Sequence, residues 1–361
     1  MKLEREELYW YWLATTPGIT PKRFREILTQ EEGLEGLFLE PSSASYLTPR
    51  LVAALKKRAN LDLLQSEVER LENQEVFVLT LLNQDYPRLL KEIHLPPPVL
   101  FYRGNLKVAA PRPFGMVGTR QPSRNGYYNM RTIARELAAQ GVTIVSGMAR
   151  GMDAAVHTGA LEAGGKTIAV LGGGVDVVYP KENRKIYDQI WQTGLILSEY
   201  LPGTSPLPAN FPARNRIISG LSYGVLLGEG KLKSGGHITV NFAMEQNRDV
   251  FALPGDISLE QSKLPNILIE EGAIITLGSK TILEYYGWQK QLAVQQREKP
   301  LPNLGDTEKN IFLALQKGEL TAEQLMEKLE LEPALVHLHL TRLELAGLVE
   351  RLPGNLFGIT K

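Results

Sequence analysis

Thr119-Arg120, Phe211 with Arg214-Asn215, and Lys233-Ser234-Gly235 are suited to holding an anion rather than to breaking a bond. Arg120 and Lys233 each stand in a turn at the start of an expected helix. There, backbone N–H groups and a side-chain cation can share one phosphate. The bland alternative for each is a loop charge turned to solvent. Around Arg120, seven basic residues and no acid lie between Ile93 and Arg135: Arg103, Lys107, Arg112, Arg120, Arg124, Arg131 and Arg135. The chain balances 40 acids against 40 Lys and Arg, so this asymmetry is local. Arg214 and Arg216 are two apart in FPARNR, so only one need face a shared edge. Arg214 is read as an anion ligand. For Arg216, a ligand role and a structural hydrogen bond to the preceding loop stand level. Phe211 could stack on a base or plug the loop. Arg150, between glycines, reads as a turn brace.

Other chemistries are excluded by what is missing. The chain has no cysteine, which removes disulfides, thiolate zinc sites and thiol catalysis. No His/Asp/Glu cluster has metal-ligand spacing, and no cofactor is expected. Asp153 and His157 share a helix face, which suits a helix cap with a neighbouring histidine better than a catalytic dyad. A dinucleotide fingerprint fails, because the first turn is GTRQPS rather than G-x-G-x-x-G. A P-loop fails, because Lys233 precedes its glycines. No apolar run approaches about 18 residues, so no membrane span is expected. The acidic, aromatic start MKLEREELYWYW is unlike a signal peptide, and a cytoplasmic home is expected.

These residues need a scaffold that places them together. Short apolar runs at 114–118, 142–146, 167–171, 194–199, 223–228 and 249–253 alternate with helical patterns at 124–140, 152–163, 182–192, 212–220 and 236–247. That alternation predicts an α/β fold with a mostly parallel sheet covered by helices on both faces. In such sheets ligands bind beyond the carboxyl ends of the strands, where GTRQPS, GMARG, GGG and GEGKLKSGG all fall. Several glycine loops on one sheet edge make a backbone-lined anion surface. Ser123, Asp153 and Ser234 sit where helix N-caps are useful. Residues 1–75 predict a small helical domain with Pro17-Gly18-Ile19 as one turn, like half of a helix-hairpin-helix. The sheet domain spans 76–290. Residues 291–305, polar with two prolines, predict a linker. Residues 306–361 show three helices and a hairpin, the order of a winged helix. Its third helix, 333–347, carries only Arg342 as a basic residue. That favours a protein-contact or regulatory role over reading duplex DNA.

VGTR with PS and G (117–126), SGMARGMDAAVHTGAL (146–161), VLGGGVDVVYPKEN (170–183), SEYLPG (198–203), FPARNRIISGLS (211–222), KSGGHIT (233–239) and VFALPGDI (250–257) resemble, in order, the motifs of the DprA family, also called Smf. YPRLLKEIHLPPPVLFYRGN (86–105) matches the segment that precedes them. The resemblance implies a Rossmann-like fold that binds single-stranded DNA without catalysing a reaction. It also implies protection of incoming strands in natural transformation, loading of the RecA recombinase and a homodimer. The pocket it implies uses Arg120 with Gly118, Thr119, Ser123, Gly147 and Gly173. It adds Lys181, Phe211, Arg214, Asn215, Lys233, Ser234 and Gly235. One departure is SGGHIT where the family shows SGSLIT, so Gly236 and His237 replace a hydroxyl and a leucine. Two rivals remain: a phosphoribohydrolase-like nucleotide enzyme, whose PGGxGT turn is missing here, and a regulator that binds DNA through its tail.

Overall fold

The structure is a computed structural model that describes residues 2–109, 111–232, 234–289, 304–315, 318–346, 348–352 and 355–359. Two compact units divide it, Met1–Lys290 and Gln291–Lys361. The first begins with helices α1 (Arg5–Thr15), α2 (Pro21–Gln30), α3 (Leu34–Leu39), α4 (Pro49–Arg58) and α5 (Leu61–Glu72). Then come β1 (Phe77–Thr80), α6 (Arg88–Lys91), β2 (Val99–Gly104), β3 (Pro113–Val117), α7 (Arg124–Ala139), β4 (Thr143–Ser146), α8 (Met152–Glu162) and β5 (Thr167–Val170). The unit continues with α9 (Arg184–Thr193), β6 (Leu195–Ser198), α10 (Asn210–Gly220), β7 (Gly224–Leu227) and α11 (Gly235–Glu245). It closes with β8 (Asp249–Ala252), α12 (Lys263–Glu270), β9 (Ile274–Ile275) and α13 (Ser279–Tyr285).

The nine strands form one sheet in the order β1-β2-β6-β5-β4-β3-β7-β8-β9. From β6 to β9 every pairing is parallel, while β1 and β2 are antiparallel at one end. The six expected strands are present. All residues of β3 to β7 are buried, as a sheet covered on both faces requires. Successive residues alternate between two cores. Phe114, Met116 and Ile144 pack with α7, α8 and α13. Val117, Val145 and Ile168 pack with α10, α11 and α12.

The expected boundary near residue 75 is not a break in packing. Trp12, Leu13 and Leu55 of the front helices share a buried cluster with Val78 of β1, Phe101 of β2 and Ile190 of α9. Trp12 Nε1 donates to the Leu55 carbonyl at 3.1 Å, and Thr80 Oγ1 donates to Glu7 at 2.8 Å. The helical front is therefore an extension of one face of the sheet.

The second unit contains α14 (Asp306–Leu315), β10 (Leu320–Thr321), α15 (Ala322–Leu329), α16 (Pro333–Leu345), β11 (Val349–Leu352) and β12 (Leu356–Ile359). Its sheet runs β10-β12-β11, antiparallel, over a core of Ile311, Leu325, Val336, Leu340 and Phe357. This is the winged-helix arrangement, with β10 added to the expected hairpin. Most of the expected linker lies outside the described residues.

Candidate functional site

Starting from β3, the chain winds outward through β4, β5 and β6 on one side, then returns to build β7, β8 and β9 on the other. The direction reverses between β3 and β7, which is where open α/β sheets leave a crevice. A pocket of about 550 Å³ opens there. Thr119 and Arg120 reach it from the end of β3, Phe211 and Asn215 from the start of α10, and Ser234 and Gly235 from the start of α11.

The β3 turn is pinned by its backbone. Thr119 N donates to the Glu229 carbonyl at 2.7 Å, and Met152 N donates to the Thr119 carbonyl at 3.1 Å. Gly151 closes against this turn at φ +74°, and a Cβ there would lie 2.5 Å from the Thr119 oxygen. Arg120 projects from the pinned turn, exposed and without an ion pair among the described residues. Its guanidinium lies 5.5 Å from the centre of the Phe211 ring, and Tyr179 stands 5.6 Å from the same ring. A cation and two aromatic faces therefore share one wall.

Arg214 has a different setting. It is 3% exposed, and its Nη1 donates to the carbonyls of Gly147 (2.8 Å) and Val170. Its Nε donates to Asn215 Oδ1 at 3.2 Å. It thus ties the ends of β4 and β5 under the pocket floor. Burial lowers its pKa to about 10, against the attraction of Asp153. Asp153 is buried in turn, which raises its pKa despite Arg214. Asp153 Oδ2 accepts from Ala149 N at 3.2 Å, and Gly151 rather than Asp153 holds the N-cap position of α8.

The N-termini of α7 and α11 on this edge are occupied differently. At α7, Ser123 Oγ caps Gly126 N at 2.9 Å. The Glu229 carboxylate accepts from Ser123 N at 2.7 Å and from Ser123 Oγ. A Cβ on Gly126 would lie 2.2 Å from Glu229 Oε1, so the carboxylate fills the space. Helix N-termini in this place commonly receive a phosphate; here the protein's own anion stands in it. At α11, Ser234 holds the N-cap position but makes no side-chain cap, and its Oγ is buried without a hydrogen-bond partner among the described residues. Asn215 Nδ2 and Thr239 Oγ1 both donate to the Gly235 carbonyl, at 3.2 and 3.3 Å. The α11 terminus therefore lines the pocket without a side-chain cap of its own.

The structure brings together Gly118, Thr119, Arg120, Phe211, Arg214, Asn215, Ser234 and Gly235 around this pocket. It does not bring in the other expected residues that it describes. Ser123 faces Glu229. The Gly147 carbonyl binds Arg214, and the Gly173 carbonyl accepts from Ser198 Oγ at 2.7 Å. Lys181 is exposed at the start of a short 3-10 turn, Lys181–Asn183, outside the pocket lining. Lys233 lies outside the described residues. His237 folds back, its Nδ1 2.6 Å from the Leu232 carbonyl. Arg216 pairs with Glu199 at 2.7 Å, so its structural alternative holds, and Arg150 pairs with Glu182. His157 does not bond Asp153; its Nδ1 lies 2.7 Å from Thr167 Oγ1, and burial, with Arg214 nearby, pushes its pKa down to about 3. Glu229 was missed by sequence reasoning. Its only signal is an acid between two glycines directly after an apolar run.

The basic tract disperses. Arg103 binds the Gln74 carbonyl at 3.0 Å, Arg112 the Trp288 carbonyl at 2.9 Å, and Arg131 pairs with Glu162. Arg120 alone of the seven lines the pocket.

The model of the family "DNA recombination-mediator protein A" matches residues 77–287. The chain belongs to the DprA family. The DprA winged helix domain matches residues 295–355. Protein Smf of Synechocystis is 35% identical over 97% of this chain and 98% of its own length. DNA processing protein DprA of Streptococcus pneumoniae is 45% identical over 59% of this chain and 76% of its own. The solved S. pneumoniae DprA structure superimposes with a TM-score of 0.65 at 36% identity, covering 79% of this chain and 98% of that one. A Helicobacter pylori DprA structure has a TM-score of 0.53 at 32% identity, covering 58% and 95%. That work describes the unique single-stranded DNA binding mode of the H. pylori protein. The DprA family is one of DNA recombination mediators, and the switch-point pocket lies within the matched segment.

Proposed function

We propose that this chain binds single-stranded DNA in the switch-point pocket, shields incoming strands during natural transformation and loads RecA onto them, working as a homodimer. The observation that carries this reading is Arg120, an exposed cation without an ion pair among the described residues, held over Phe211 beside the open N-terminus of α11. A phosphate there gains the guanidinium and the N-terminal end of α11, and a base gains the Phe211–Tyr179 wall. The wall and the cation address a π-face and a phosphate, which every nucleotide carries, so the binding is independent of sequence. The H. pylori relative's single-stranded DNA binding supports the same choice of ligand. Of the remaining expected residues, the two cations Lys181 and Lys233 are assigned to extend the phosphate track.

The test is fluorescence anisotropy of single- and double-stranded oligonucleotides across a salt series. Single strands bind more tightly, and Arg120→Ala weakens every sequence alike while reducing the log–log salt slope by about 0.7. A preference for duplex, or an unchanged Arg120→Ala, overturns the assignment. Light scattering checks the dimer, and RecA filament assembly on coated strands checks loading.

A further inference from the structure

A second cavity, about 850 Å³, lies at the other edge of the sheet. It opens where the parallel strands begin: Gly104 ends β2 opposite Leu195, the first residue of β6, and Tyr223 immediately precedes β7. One wall is a cross-strand pair, Phe77 and Tyr102, with ring centres 5.4 Å apart. Tyr223 supplies another ring, held from behind by Trp288 at 5.4 Å. Tyr86 and Leu89 close the buried floor.

The rim is polar. Lys107 is exposed and has no ion pair among the described residues. Arg88 is 78% exposed, with its nearest carboxylate, Glu92, at 4.0 Å. Gln84 and Asp85 stand exposed beside them, and the Gln84 amide makes no hydrogen bond among the described residues.

We propose that this cavity binds a nucleotide unit, its base against the Tyr102 and Tyr223 rings and its phosphate on Lys107 and Arg88. The volume falls in the range of small-molecule sites, about 300–1,000 Å³. A plain anion would leave the aromatic walls unused, and an apolar ligand would leave both cations unused. A nucleotide uses both: every base offers a π-face, and a phosphate takes charge-assisted hydrogen bonds. Asp85 and Gln84 supply an acceptor and an amide for the edge of the base. The unit comes either as a free nucleotide or as part of a strand.

Two measurements on the full-length protein separate these sources. Calorimetry with ATP tests the free form, and photocrosslinking of a 5-iodouracil oligonucleotide, with peptide mapping, tests the strand. For a free nucleotide, ATP saturates one site per chain, Arg120→Ala binds it unchanged, and Lys107→Glu binds it about tenfold more weakly. For a strand, ATP does not bind, and crosslinks map to Tyr102 or Tyr223 and disappear in Lys107→Glu. Lys107 is on the surface, so its variant keeps the fold, which circular dichroism checks. The proposal is overturned if wild type shows neither ATP saturation nor these crosslinks, or if Lys107→Glu matches wild type in whichever signal wild type shows. Failure at Arg120 leaves the ATP measurement standing, so the two sites are judged separately.

Discussion

Two charged residues at the β3–β7 crevice have opposite duties. Arg120 keeps its charge for a ligand: the turn that carries it is pinned through Thr119, and no carboxylate among the described residues pairs with it. Glu229 gives its charge to the fold, engaging Ser123 at the head of α7. Removing it leaves Ser123 N without its partner and takes a negative charge from a helix N-terminus. Glu229→Ala is expected to lower stability by about 1–3 kcal/mol, read from the urea midpoint. It should also weaken single-strand binding, since the loosened turn bears Arg120. Glu229→Gln, which keeps an acceptor, should recover most of the stability. Arg120 was legible in the sequence because a cation in a glycine turn after an apolar run has few other uses. Glu229 was not, because its partner Ser123 lies 106 residues away. Arg214 carried the right motif, but the carbonyls that surround it lie just after β4 and at the end of β5, which no local pattern announces.

The elements obeyed their periodicity wherever the chain crosses over through a helix. Six apolar runs became six parallel strands, because a sheet covered on both faces needs uninterrupted apolar residues. The strands that escaped notice lack that signature. β2 is buried only in its first half, β9 has two residues, and β1 and β2 are joined without a long helix. Between elements, the GMARG turn is a tight joint. Gly151→Ala forces a side chain into φ +74° and against the Thr119 oxygen, and should cost at least about 1 kcal/mol with a loss of strand affinity. Between α8 and β5, the neutral His157 predicts a pH dependence. Its pKa is about 3 in the fold against an ordinary 6.5, so between these values the unfolded chain binds a proton that the folded chain refuses. Stability therefore falls as pH falls through this window, by on the order of 2 kcal/mol from pH 7 to pH 5. Asp153, with its raised pKa, acts in the opposite sense and is common to both proteins compared. His157→Gln should flatten the difference between urea midpoints at pH 7 and pH 5; an equal difference in both would refute the assignment.

At the scale of the molecule, packing divides the chain once, not twice. The front helices cover hydrophobic surface on β1, β2 and α9, while the second unit has a core of its own. A chain ending at Lys290 should therefore fold and bind single strands within about twofold of the full-length protein, the additivity expected of independent units. Abolished binding would return the DNA contact to the winged helix.

Composition and order alone settled the class of protein: a chain without cysteine, a parallel sheet, cations and glycines at its strand ends, and motifs in the sequence of one family. Those properties are local, being written in residue type and short-range spacing. Tertiary structure decided which of the cations meet. It sent Arg103, Arg112 and Arg131 to carbonyl or carboxylate partners, buried Arg214 beneath the crevice and left Arg120 at its mouth. It also filled the N-terminus of α7 with Glu229 and left that of α11 facing the pocket. The reason is physical: charge is a property of a side chain, but its availability depends on partners that only long-range folding supplies.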